Sequence, residues 1–154
     1  MIKTKIKRIE ELDDKYLILN EKEMGFLRKC LQSRKQDVRW TAVKILVGWY
    51  SIENESLLYR MTYDKAELVC VHAVDSLCIG RTRRSLSRLR DLMEDERILV
   101  RGYAVLSFFD VWVNCFSWNE RSMNAYLRFA ETMESEEEKT WVRLFYEENK
   151  ILAR

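Results

Sequence analysis

The sequence predicts an all-α protein built from one helical unit that repeats along the chain. Its 154 residues include no proline and only four glycines, so the residues that break helices or form tight strand turns are almost absent. Residue types also recur at a spacing of 31 positions, which is the pattern of a repeat architecture. With 47% hydrophobic residues and 27 basic against 25 acidic side chains, the composition is that of a globular chain. Hairpin-rich sandwiches and barrels are disfavoured, and bulk charge indicates neither a nucleic-acid nor a membrane partner.

The first 19 residues are predicted to form an N-terminal cap. Leu12, Tyr16, Leu17 and Leu19 supply apolar side chains that cover the exposed edge of the first repeat, as the end units of a repeat array require. The early basic residues are not followed by the apolar stretch and cleavage site of a signal peptide, and no apolar run reaches the ~20 residues of a membrane helix. We expect a soluble, cytoplasmic protein with no membrane partner, whose four cysteines are reduced.

Each repeat is predicted to begin with a helix capped by a polar side chain. The three N-cap residues are 31 positions apart: Asn20, Ser51 and Thr82. Apolar residues then recur at the same period and provide a stripe at positions i and i+3 of each helix. They are Leu27, Leu58 and Leu89, followed by Cys30, Met61 and Leu92.

A second helix is predicted to begin at Ser33, Asp64 and Asp95, which are again N-cap types 31 positions apart. A valine and then an alanine follow at fixed distances in each unit. They are Val38, Val69 and Val100, then Ala42, Ala73 and Ala104. Small alanines at one repeated position predict a close approach between helices.

The period predicts a single domain over residues 1–154 with four units. An eleven-residue insertion in the third unit, around 114–123, brings the fourth into register at a spacing of 42. Glu137, Val142, Arg143 and Tyr146 then match the second helix of the third unit. The predicted units are about 20–50, 51–81, 82–123 and 124–154.

The second helices resemble the HEAT repeat, in which an Asp precedes the pattern V-R-x-x-A-x-x-x-L. Asp95, Val100, Arg101 and Ala104 match it, with Phe108 in place of the leucine. The resemblance implies a right-handed, armadillo-type α-solenoid of about four helix pairs, whose second helices line a concave face. Such solenoids are more often protein-binding scaffolds than enzymes. In the HEAT pattern the arginine, here Arg39, Arg101 and Arg143, bonds acidic groups between neighbouring units; Cys70 replaces it in the second unit.

No catalytic constellation, cofactor site or metal site is predicted. His72 is the single histidine, and Asp75 lies three residues later, a spacing that suits a general base and an orienting carboxylate. No nucleophile accompanies them, and their surroundings supply no cluster of three or four metal ligands. Since the chain also has no glycine-rich phosphate loop, the sequence predicts a protein that is not an enzyme.

The concave side of the second helices is predicted to form a partly apolar groove that binds a protein or peptide, or a second copy of the chain. In each unit the side opposite the buried stripe, where polar residues are expected, is largely apolar. The predicted contact residues are Trp40, Lys44, Val71, His72, Asp75, Leu106 and Phe109. Two alternatives remain open for what covers the groove. The insertion, with Phe116 and Trp118, folds over it, or a partner binds in it.

An arginine cluster predicts a second surface. Five arginines occur within ten residues with no acid among them: Arg81, Arg83, Arg84, Arg88 and Arg90. At the start of a helix they oppose the helix dipole, so an anion would stabilise them. Nucleic-acid phosphate is one candidate, which makes a module resembling the HEAT-like DNA alkylation-repair glycosylases the alternative function. A Glu-rich protein segment, such as residues 131–138 of this chain, and simple solvation are the other interpretations.

Overall fold

The computed structural model of the chain describes residues 2–13, 19–48, 51–80 and 82–115, with scattered positions between 124 and 147. Residues 2–115 of this part form seven α-helices and no strand, so the all-α prediction is confirmed there. The helices are α1 (Ile2–Asp13), α2 (Glu21–Cys30), α3 (Gln36–Gly48), α4 (Ile52–Met61), α5 (Glu67–Gly80), α6 (Arg83–Leu92) and α7 (Ile98–Cys115).

The chain divides into two compact units, residues 1–80 and residues 81–154. The first contains α1 to α5, and the described part of the second contains α6 and α7. The predicted insertion at 114–123 and the predicted fourth repeat at 124–154 lie almost wholly outside the described residues. Both therefore stay predictions.

The predicted N-caps of the first helices are confirmed. Asn20 and Glu23 form a reciprocal capping box, in which each side chain accepts the backbone N–H of the other residue at 3.0 and 2.9 Å. The hydroxyls of Ser51 and Thr82 each accept the N–H three residues later, at 3.2 and 3.1 Å. Because capping satisfies N–H groups that have no partner within the helix, these side chains determine where α2, α4 and α6 begin.

The second helices begin two residues later than N-caps at Ser33, Asp64 and Asp95 would place them. Ser33, Asp64 and Asp95 lie in the turns before α3, α5 and α7 and are not helix caps. Each side-chain oxygen accepts the N–H two residues later, at 3.2, 2.8 and 3.0 Å. A short polar side chain can accept a backbone N–H in a turn as readily as one at the start of a helix. In these three segments it accepts the N–H of the turn.

The core of the first unit is centred on α3, which contacts α1, α2, α4 and α5. Its Ala42 and Leu46 are fully buried, and α1 contributes Ile9 and Leu12 to the same core. Leu12 and Leu19 of the predicted cap are buried as expected, whereas Tyr16 and Leu17 lie outside the described residues. Burial of one such aliphatic side chain contributes about 1.5–3 kcal/mol, so the cap helix adds to the stability of the first unit.

Arg39 on α3 binds Asp64, which lies in the turn before α5. Its Nε and Nη2 donate to the two carboxylate oxygens of Asp64 at 2.6 and 2.8 Å, and Nη1 donates to the carbonyl of Ser33 at 2.8 Å. The hydrogen bonds with Asp64 raise the pKa of Arg39 above its ordinary value, although burial opposes this. Cys70, 31 residues after Arg39, has a thiol that donates instead to the carbonyl of Thr62, at 3.1 Å.

Candidate functional site

A cleft of about 300 Å³ lies between the first turns of α3 and α5 in the first unit. We call it the α3/α5 cleft. Its apolar lining comes from Trp40, Ala66, Leu68 and Val69. Its polar lining comes from Gln36, Asp37 and Glu67. A mostly apolar concavity with a few polar groups is the general form of a ligand or peptide site.

Trp40, in the wall of the cleft, also contacts His72 and Lys44 beside it. Its indole N–H donates to Nδ1 of His72 at 3.3 Å, and the two rings meet edge to face with centroids 5.7 Å apart. The ammonium of Lys44, one turn further along α3, lies 4.8 Å from the centroid of the indole ring, within cation–π range. Three predicted contact residues are thus brought together on two neighbouring helices.

The two carboxylates of the cleft have a local structural reason to be there. Asp37 lies in the first turn of α3 and Glu67 in the first turn of α5, where an acid interacts favourably with the positive end of the helix dipole. Asp37 is exposed and Glu67 is half-buried. The same positions that stabilise the helices therefore give the cleft a negative border beside its apolar wall.

Two predicted contact residues do not lie on an open surface. Val71 is 4% exposed and Phe109 is 8% exposed, so neither side chain is available to a partner. The prediction assigned burial to one side of each second helix, but α5 buries residues on several sides, because it packs against both α3 and α4. Phe109 on α7 is buried with its ring at 5.2 Å from that of Phe108.

The remaining predicted groove residues are at least partly accessible. Asp75 is exposed on α5, one turn after the half-buried His72. Leu106 is half-buried on α7, in the second unit. Among the predicted groove residues, Trp40 contacts both His72 and Lys44.

The residues of the cleft that were missing from the prediction include Asp37, Glu67 and Leu68. Leu68 lies at the edge of the cleft and is 53% exposed, which is a large exposed fraction for a leucine. A signal was present in the sequence, because Leu68 occupies the repeat position of Asp37. The 31-residue period thus places a leucine where the preceding predicted repeat has an exposed acid.

The arginine cluster lies on α6, as predicted, directly after the Thr82 cap. Arg83, Arg84 and Arg90 are exposed and Arg88 is half-buried, while Arg81 lies outside the described residues. The opposite side of α6 buries Leu89 and Leu92, and the helix packs against α7. This packing leaves Arg83, Arg84 and Arg90 exposed on the outer side of the helix.

Within the described ranges no group of three or more His, Cys, Asp or Glu side chains could hold a metal ion. No helix of the same ranges is long and apolar enough to cross a bilayer. Burial raises the pKa of the Cys30 thiol, and the nearby charges of Lys5 and Arg8 offset this in part, so the residue is a poor nucleophile. Comparison with protein-family models and with curated proteins gives no match for this chain.

Proposed function

We propose that the chain is a non-catalytic scaffold, a right-handed solenoid of HEAT-like helix pairs, which binds a segment of a partner protein in the α3/α5 cleft. The observation that carries this proposal is the apolar cleft with Trp40 in its wall and two carboxylates in its lining. The complementary segment has an apolar side chain next to a lysine or arginine. The apolar side chain fills the space beside Trp40 and Leu68, and the cation meets Asp37 and Glu67.

The repeated helix pairs support the solenoid part of the proposal. α2, α4 and α6 begin 31 residues apart, and so do α3, α5 and α7. The bidentate contact of Arg39 with Asp64 joins two successive pairs through a fixed geometry. Two helix pairs joined in this way support the binding surface between them, and a preorganised surface needs such support.

The environment of His72 supports a contact role over a catalytic one. Its Nδ1 lies 3.3 Å from the indole nitrogen of Trp40 and 2.9 Å from the carbonyl oxygen of Leu68. That nitrogen is therefore engaged in positioning the wall of the cleft. Neither contact brings the imidazole to a nucleophile.

Selection from a displayed peptide library against the full chain tests the proposal. We expect selected peptides to share an apolar residue beside a lysine or arginine, and calorimetric titration of the full chain to show that Leu68→Ala or Trp40→Ala lowers their affinity about tenfold or more. Asp37→Asn combined with Glu67→Gln should lower the affinity and weaken its dependence on salt.

Ile79→Ala is the matched control. Ile79 is 46% exposed on the same helix as Leu68 but does not line the cleft. Its replacement should leave the affinity within about twofold, and circular dichroism should show that all variants keep their helices. Selected peptides whose affinity is the same for Leu68→Ala and for Ile79→Ala would overturn the cleft as the binding site. Self-association abolished by Leu68→Ala would instead identify a second copy as the occupant.

A further inference from the structure

A second cleft, of about 280 Å³, lies between the C-terminal ends of α2 and α4 in the first unit. We call it the α2/α4 cleft. It is lined by Arg28, Leu31, Gln32, Leu57, Arg60 and Met61. None of these residues lines the α3/α5 cleft, so the two cavities are separate.

The floor of the α2/α4 cleft is apolar and belongs to the core of the first unit. Leu31 and Met61 are only 6% and 9% exposed, and the half-buried Leu57 packs against the same core. Because close packing in the core holds these side chains in place, the cavity exists before any ligand binds. An occupant that fits this floor has to bring an apolar group.

The rim of the α2/α4 cleft carries two guanidinium groups from different helices. Arg28 and Arg60 are both exposed, and each lies in the last turn of its helix, where a cation interacts favourably with the helix dipole. Nη1 of Arg28 lies 3.7 Å from a carboxylate oxygen of Glu21, whose side chain is 88% exposed. An ion pair so open to water is weak, so the carboxylate of a ligand can replace that of Glu21.

The floor and the rim together select one class of ligand. A phosphate ion or a nucleic-acid strand would place polar groups against the apolar floor, and the described residues that line the cleft include no aromatic ring on which a base could stack. The volume is just below the range of about 300–1,000 Å³ that encloses a small molecule, so the cleft suits a single side chain. A peptide in which an acidic residue follows an apolar one matches both the floor and the rim.

We propose that the α2/α4 cleft binds a segment of a protein partner in which an apolar side chain stands next to an aspartate or glutamate. The apolar side chain packs over Leu31, Leu57 and Met61, and the guanidinium groups at the rim donate hydrogen bonds to the carboxylate. The α3/α5 cleft has carboxylates where this cleft has arginines, so the two sites suit segments of opposite charge. The proposal does not depend on what binds in the α3/α5 cleft.

Methyl NMR of the full chain, titrated with a pentapeptide that contains a leucine followed by two glutamates, tests the proposal. We expect the methyl signal of Met61 to shift as peptide is added, since Met61 lines the cleft. Arg60→Gln should lower the affinity about fivefold or more, because one of the two cations is lost. A peptide with glycine in place of the leucine should also bind about fivefold more weakly, because the apolar floor is then left unfilled. A short thymidine oligonucleotide at the same salt concentration should bind more weakly than the leucine peptide.

The matched control is Arg90→Gln, which removes an exposed arginine from the last turn of α6, outside the cleft. It should leave the peptide affinity within about twofold, as expected for an exposed charge that does not touch the ligand. Circular dichroism should show that both variants keep their helices. Four results would overturn the proposal: no shift of the Met61 signal, an equal loss of affinity in the control, equal affinity for the glycine peptide, or tighter binding of the oligonucleotide.

Glu21→Gln tests the role of Arg28. The replacement removes the carboxylate that competes for this guanidinium, and it leaves the capping box of Asn20 and Glu23 in place. The peptide affinity should rise about twofold, in keeping with the small free energy of an exposed ion pair. Glu10→Gln, at an exposed acid of α1, should leave the affinity unchanged. An equal effect of the two replacements would overturn the role of Arg28 in this site.

Discussion

Trp40 and His72 meet through a hydrogen bond that only one form of the imidazole can accept. The indole N–H lies 3.3 Å from Nδ1 of His72, and the same nitrogen lies 2.9 Å from the carbonyl oxygen of Leu68. With a proton on Nδ1 the ring donates to Leu68, and without that proton it accepts from Trp40. The wall of the α3/α5 cleft is thus coupled to the backbone of α5 through one atom.

Replacing Trp40 by phenylalanine tests this coupling. The variant keeps an aromatic ring beside Lys44 but loses the N–H donor, so we expect the free energy of unfolding to fall by about 1 kcal/mol, the typical net value of such a hydrogen bond. Chemical denaturation provides the measurement. In a His72→Phe background the same replacement should cost less, because the acceptor is already gone. Equal costs in both backgrounds would show that the contact contributes nothing.

Asp64→Asn tests the link between α3 and the turn before α5. The amide keeps an oxygen for the N–H of Ala66 but loses the charge that Arg39 binds. The side chains of Arg39 and Asp64 are only 16% and 7% exposed, so the pair is little screened. We expect a loss of about 2 kcal/mol in the free energy of unfolding, as for hydrogen bonds to charged groups. The exposed Asp37→Asn is the control, and a comparable loss there would contradict the assignment.

Asp95 predicts an acid dependence of stability. Its side-chain hydrogen bonds with Arg97 hold the pKa of the carboxyl below its ordinary value of 3.8, although burial opposes this. A pKa that is lower in the folded state contributes stability above the unfolded value and loses it as the pH falls through the folded value. We expect the melting temperature to drop below about pH 4, and to drop less for Asp95→Asn than for the unmodified chain. Identical pH profiles for the two proteins would contradict this role.

Single charge reversals along α6 should have opposite effects at its two ends. Arg83→Glu places an acid at the positive end of the helix and should stabilise the chain by about 0.3–1 kcal/mol. Arg90 lies in the last turn, where a cation is favourable, so Arg90→Glu should destabilise by a similar amount. Thermal unfolding at low salt measures both. Equal shifts in the same direction would indicate an effect of net charge rather than of position.

Phe109→Asp is expected to unfold the second unit. The side chain is 8% exposed and its ring packs against Phe108, so an aspartate there is a buried charge that costs several kcal/mol. Circular dichroism should show a loss of helix, whereas Phe109→Leu keeps an apolar side chain and should retain most of the signal. If the Phe109→Asp variant melts like the unmodified chain, this position faces solvent.

The sequence by itself determined the helical class and the residues at which α2, α4 and α6 begin. Proline is absent, and the caps Asn20, Ser51 and Thr82 each act on an N–H group three residues away, so the information is local. The 31-residue period is independent support for these helix starts, because it places an N-cap residue at the same position three times along the chain. Leu27, Leu58 and Leu89, which follow these caps, are buried. This was predictable because an apolar stripe along one helix is buried as soon as any one neighbour packs against it.

Tertiary structure decided the rest. The side chains of Ser33, Asp64 and Asp95 are able to accept the N–H of a turn or that of a helix end, and in the structure each accepts the N–H of a turn. Helical periodicity describes one helix at a time, so it could not show that α5 is enclosed on several sides or that Val71 is buried. The contact between Trp40 and His72 joins residues 32 positions apart on different helices. Its existence depends on the distance and rotation between α3 and α5, which are set by the side chains packed between them and by no pattern within either helix.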